Sequence, residues 1–165
     1  MRAISKAKKG PTKKEQEDKV VIYLDIDHVV VGKNKHGQIA LIPNFKAILS
    51  YLNKNYECRW LTTHGRYDAG DVIRYLKPYL KRITPEELRF IKVVPWRTLK
   101  TEAIDFDSLF IWVDDQPLQF ELDILRKRGF LNRWLKVDAY MNYRELKVAK
   151  IEVKRREVLA ALLAV

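Results

Sequence analysis

Residues 20–27 read Val20-Val21-Ile22-Tyr23-Leu24-Asp25-Ile26-Asp27: five apolar side chains in a row, then two carboxylates one residue apart. An apolar run with no polar alternation is the pattern of a strand buried on both faces, as in a parallel sheet. The acids mark where that strand leaves the core. Side chains in an extended chain alternate with period two, so Asp25 and Asp27 start out on the same side. Two further strands end in oxygen-bearing residues. Cys58-Arg59-Trp60-Leu61 leads into Thr62-Thr63, and Leu109-Phe110-Ile111-Trp112-Val113 leads into Asp114-Asp115.

Helical patterns separate these strands. Pro43 in a first turn and apolar Phe45, Ile48, Leu49 and Leu52 predict a helix over 43–54. Val72, Ile73, Leu76, Tyr79 and Leu80 predict another over 69–80, and Thr84 can cap a short one beginning Pro85-Glu86-Glu87. A short strand is expected over 90–94. A helix over 117–128 stops at Gly129, and a weaker strand follows over 134–137. One long charged helix is expected over 142–164. Residues 30–42 read as a β-hairpin flap with a Lys/Asn/Gly turn. Strands alternating with helices predict an α/β fold with a mostly parallel sheet, a single domain over 20–165 ending in the long helix. The segment 1–19 is polar and basic and reads as a flexible tail.

The chain has 165 residues and 47% hydrophobic content, enough for a core without staples. Its only cysteine, Cys58, leaves no internal disulfide framework and no cysteine-rich zinc site. No apolar run approaches the roughly 20 residues of a membrane helix, and the basic start has no apolar stretch behind it, so a cytoplasmic location is expected. The net charge of +11 favours an anionic partner, nucleic acid being the commonest.

In such sheets ligands sit beyond the carboxyl ends of the strands. An Asp at a strand end needs no functional explanation by itself, because Asp commonly turns a strand into a loop. An Asp-x-Asp and an Asp-Asp, each directly after five apolar residues, are a different matter. Carboxylates crowded there repel one another, and a bound cation relieves the repulsion. All-oxygen ligation suits Mg²⁺.

Residues 21–30, with Asp25-Ile26-Asp27-His28-Val29-Val30, resemble the first motif of the haloacid dehalogenase (HAD) superfamily. Leu61-Thr62 is similar to the second motif, Lys100 is a candidate for the third, and residues 109–115 resemble the fourth in its Asp-Asp form. The motifs stand in family order. The resemblance implies a three-layer, doubly wound, Rossmann-like sheet with no large cap domain, and a Mg²⁺-dependent phosphatase. It implies Asp25 as the nucleophile that forms an aspartyl-phosphate, and Asp27 as general acid and then base. Thr62 would bind the phosphoryl oxygens, and Lys100 would hold the nucleophile. Asp25, Asp27 through its backbone carbonyl, Asp114 and Asp115 would form the Mg²⁺ set. The family often has glycine where this chain has His28, a side chain that either reaches substrate or marks lost activity.

Little chain is left over for a cap, so the site is expected to be open to a large phosphorylated substrate. The basic balance makes a nucleic-acid end the first choice. His28, Thr63, His64 and Arg66 are the candidate substrate-binding residues, with Arg59, Arg97 and Lys33 or Lys35 near the proposed rim. Trp60 and Trp112 are expected in the core, and Trp96 is the better candidate for stacking on a base. Two rival readings are a phosphoprotein or nucleotide phosphatase and a non-catalytic basic module that binds nucleic acid or protein. The sequence leaves monomer and homodimer equally open.

Overall fold

The computed structural model describes residues 20–65 and 67–163; the expected basic tail and Arg66 lie outside the described residues. Strand β1 (Val21–Leu24) is followed by a hairpin of β2 (Val31–Lys33) and β3 (Ile39–Leu41), then helix α1 (Phe45–Asn55) and β4 (Glu57–Trp60). Helices α2 (Ala69–Leu76) and α3 (Pro85–Leu88) lead to β5 (Lys92–Val93). A 3-10 turn at Lys100–Ala103 precedes β6 (Phe110–Asp114), and α4 (Gln119–Lys127), β7 (Trp134–Lys136) and α5 (Val148–Leu163) complete the chain.

The main sheet has five strands in the order β5-β4-β1-β6-β7, and every pair is parallel. The apolar run at 20–24 therefore forms the central strand, which explains why it lacks a polar face. Ile22 and Leu24 join one core cluster with Phe45, Leu52, Val72, Leu76, Ile151 and Val158, from α1, α2 and α5. Val21 and Tyr23 join a second cluster with Phe110, Trp112, Trp96 and Leu125 of α4. Helices thus cover both faces of the sheet. Cys58 of β4 pairs in register with Ile22 and is 1% exposed.

Several boundaries differ from those the sequence predicts. Helix α2 ends at Leu76 and tightens into a 3-10 turn at Lys77–Tyr79, because Pro78 has no N–H to continue the ladder. The last helix starts at Val148 rather than 142. The Glu145 carboxylate accepts the Asp138 N–H at 2.6 Å and pairs with Lys150 at 2.5 Å, which favours turns over the six residues before it. Burial of Ile151 and Val158 docks α5 on the domain, while Leu163 at its tip is 91% exposed. Strand β5 holds only two residues at the sheet edge, and Pro95 follows close behind. Among the described residues no helix is long and apolar enough to cross a membrane.

The strand order positions the site. From β1 the chain fills one side of the sheet with β4 and β5, then crosses to the other side for β6 and β7. The reversal opens a crevice beyond the carboxyl ends of β1 and β6, the place where open α/β sheets bind ligands.

Candidate active site

Asp25 directly follows β1, and Asp114 is the last residue of β6. Leu24 pairs with Val113, and the Asp25 N–H bonds the Val113 carbonyl at 3.0 Å, so the two acids come out side by side. Lys100 reaches in from its 3-10 turn. Its Nζ lies 2.6 Å from Asp25 Oδ2 and 2.6 Å from Asp114 Oδ2. The Lys100, Asp25 and Asp114 side chains are 13%, 9% and 1% exposed.

One ammonium here faces two buried carboxylates. Burial pulls the Lys100 ammonium down, but the charges of Asp25 and Asp114 outweigh it and hold the group above its ordinary range. Burial pushes the Asp114 carboxyl up to about 7, and the Asp25 charge adds to that shift while Lys100 works against it. The remaining oxygens are anchored: Asp25 Oδ1 accepts the Ile26 N–H at 2.7 Å and Asp114 Oδ1 accepts the Gln116 N–H at 2.9 Å.

Asp115 completes the cluster. One oxygen from each of Asp25, Asp114 and Asp115 lies within 4.8 Å of the others. Three carboxylates with this convergence could hold a divalent cation, and an all-oxygen donor set suits a hard ion. Each bonded oxygen keeps a second lone pair, so the hydrogen bonds do not exhaust the donors. The excess of negative charge over Lys100 is a second reason the set fits a cation. The carboxylate of Asp27 is not in this group.

Asp27 belongs to a neighbouring cluster instead. Its Oδ2 lies 2.6 Å from His64 Nε2, and its Oδ1 accepts the Tyr75 hydroxyl at 2.6 Å. The His64 and Tyr75 rings stack with centroids 3.5 Å apart and planes 9° from parallel. Burial and the bond to Asp27 push the Tyr75 phenol well above its ordinary range, so it stays a proton donor. Thr62 is 2% exposed, and its Oγ1 accepts the His64 N–H at 3.3 Å. Thr63 is exposed.

His28 stands in the left-handed region with φ 58°, a conformation glycine adopts without strain. Its Nδ1 lies 2.8 Å from Asp115 Oδ2 and its ring packs 5.0 Å from that of Tyr140. The imidazole thus orients a candidate metal ligand and lines the crevice.

Two rim expectations are corrected. Trp96 is 7% exposed, and its Nε1 donates to the Thr62 carbonyl at 3.1 Å, so it braces the end of β4 and offers no stacking face. Arg59 donates to Glu57 at 2.9 Å and to the Tyr23 hydroxyl at 3.2 Å, and that same hydroxyl accepts the Asp105 N–H. It therefore points toward the amino ends of the strands, away from the crevice.

Three contributors escape the sequence analysis. Tyr75 looks like one more apolar residue of an amphipathic helix, and only folding stacks it on His64. Glu121 is 2% exposed and accepts the Lys100 N–H at 2.5 Å and the Leu118 N–H at 2.8 Å, which ties the lysine turn to the start of α4. Tyr140 follows β7, far along the chain from His28. The one signal for Glu121 is an acid in the first turn of a helix, and that is ordinary capping chemistry.

No family model, curated protein or solved structure matches the chain.

Proposed function

We propose that this protein is a HAD-type, Mg²⁺-dependent phosphomonoester hydrolase acting on a large anionic substrate, a phosphorylated nucleic-acid end first. The observation that carries the reading is the convergence of Asp25, Lys100, Asp114 and Asp115 at the switch point of a parallel sheet. Helices on both faces and the strand order support a doubly wound arrangement. The only structure inserted between β1 and α1 is the small β2–β3 hairpin, which supports an uncapped site.

In this reading Asp25 Oδ attacks phosphorus and forms the Asp25–phosphorus bond as the bond to the leaving oxygen breaks. Asp27 gives its proton to that leaving oxygen. Water then attacks the aspartyl-phosphate, Asp27 takes the water's proton, and Asp25 is released with inorganic phosphate. Asp25, Asp114 and Asp115, with the backbone carbonyl of Asp27, would hold Mg²⁺, which supplies positive charge against the phosphoryl oxygens. Lys100 holds Asp25 in place and adds a second positive charge. His64 and Tyr75 fix the Asp27 carboxylate through both oxygens. In this reading Thr62, whose Oγ1 accepts the His64 N–H just beyond β4, binds the phosphoryl oxygens.

The test is phosphate release from an aryl phosphate, nucleoside monophosphates and 3′- and 5′-phosphorylated oligonucleotides, with Mg²⁺ and with chelator. Wild type is expected to turn over at least one of them in Mg²⁺ only. Asp25→Asn is expected to lose on the order of 10³-fold or more, as a removed nucleophile does. Turnover that survives Asp25→Asn or chelation rejects the mechanism. Absence of turnover across the panel favours the binding-module reading.

A further inference from the structure

Beside the carboxylate cluster lies a cavity of about 610 Å³ between the tip of the β2–β3 hairpin and the loop after β7. Lys33, Lys35, Arg144, Tyr140, Met141 and Tyr143 are among its lining residues, and among the described residues no Asp or Glu lines it. Tyr140 and Met141 are 40% and 81% exposed, so part of an aromatic ring, held by the Lys33 ammonium at its hydroxyl and by the His28 ring, and a soft apolar side chain are accessible beside three cations.

The two walls are fixed to each other. The Lys33 N–H bonds the Ala139 carbonyl at 3.2 Å, and the Lys33 ammonium lies 4.9 Å from the Tyr140 ring centre. Gly32 lets the hairpin and that loop touch: a Cβ built there would fall 2.2 Å from the Ala139 oxygen. The Tyr143 hydroxyl donates to the Leu41 carbonyl, which closes the far side. The cavity is also tied to the acids. The Ala139 N–H bonds the His28 carbonyl, Tyr140 packs on the His28 ring, and the other edge of that ring holds Asp115. One imidazole separates the cavity from the candidate metal ligands.

We infer that this cavity seats the nucleotide next to the phosphorylated end of a single-stranded nucleic acid, with the base against Tyr140 and Met141 and the backbone phosphates against Lys33, Lys35 and Arg144. Aromatic faces take any base by stacking, and cations without neighbouring acids take phosphates. That the strand's end points toward Asp25 rests on the phosphatase reading above. Occupancy of the cavity does not.

The experiment is binding in chelator, where no turnover is asked for, of a fluorescent 3′-phosphorylated single-stranded oligonucleotide followed by anisotropy. Wild type is expected to bind, and Lys35→Glu with Arg144→Glu to weaken binding at least tenfold and flatten its salt dependence. A charge-matched control, Lys54→Glu with Lys127→Glu on exposed helix surfaces, is expected to cost less than threefold. A thermal melt within a few degrees of wild type verifies that each variant folds. Tyr140→Ala is expected to weaken binding on the order of tenfold, and a photoreactive terminal base to crosslink at Tyr140 or Met141.

No binding by wild type overturns the inference. So does an equal loss in the control pair, a crosslink elsewhere, or equal competition by a phosphopeptide of the same charge. Wild-type phosphate release in Mg²⁺ is scored separately. If release fails while the crosslink and the charge-reversal loss hold, the phosphatase reading falls and the nucleotide cavity stands.

Discussion

Asp114 is buried against a second carboxylate, which disfavours its charge. Its carboxyl is pushed up to about 7 by burial and by Asp25, against an ordinary value near 4. Between those values the folded chain holds a proton that the unfolded chain has released, so this group makes stability fall as pH rises from about 4 to about 7. Asp114→Asn removes the ionisable oxygen and keeps the size. In chelator at pH 8 the variant is expected to be more stable than wild type by on the order of 2 kcal/mol, with the gain fading toward pH 4. Urea melts at the two pH values check this, and a variant less stable at pH 8 contradicts it. Asp25 and Asp114 were legible in the sequence because each directly follows an apolar run, and Asp27 and Asp115 because they stand within two residues of them. Their partners were not: nothing in the local spelling of α2 distinguishes Tyr75 from the apolar residues around it, and pairing Asp27 with His64 depends on strand neighbours. Trp96, the better stacking candidate of the tryptophans, is a brace instead, its indole N–H donating to the Thr62 carbonyl.

At the level of elements, the β2–β3 hairpin is held to the loop after β7 by close backbone approach. Gly32 has no room for a methyl group beside the Ala139 carbonyl. Gly32→Ala is therefore expected to push the hairpin outward, break the Lys33–Ala139 bond and cost about 2 kcal/mol. Gly129→Ala makes the comparison. A Cβ at Gly129 meets nothing within 4 Å but inherits φ 77°, so its cost is strain alone, about 1 kcal/mol. Paired thermal melts decide, and a Gly32→Ala protein as stable as wild type means the hairpin is not clamped there. Strand and helix identities were readable from hydrophobic period. Their ends were set by features outside the period, such as Pro78 breaking α2 and the Glu145 carboxylate favouring turns before α5.

Across the whole molecule, the parallel five-stranded sheet follows from alternating patterns, but strand order does not. Periodicity shows that residues 109–113 are buried on both faces and says nothing of which strand they pair with. That pairing, Leu24 with Val113, turns separate strand ends into one site. The same order gives the molecule an internal clock. Cys58 is the chain's only thiol, 1% exposed on β4 between β1 and β5. Its side chain packs in the core between the sheet and α1, α2 and α5, so a thiol reagent reaches it only when that core opens, and the labelling rate measures the opening frequency with no introduced dye. Labelling of the native protein is expected to run roughly 10³-fold or more slower than in denaturant. A native rate close to the denatured one would mean that this core breathes freely. Any molecule that closes the crevice between β1 and β6 should then slow that clock, which makes ligand discovery possible before a substrate is known.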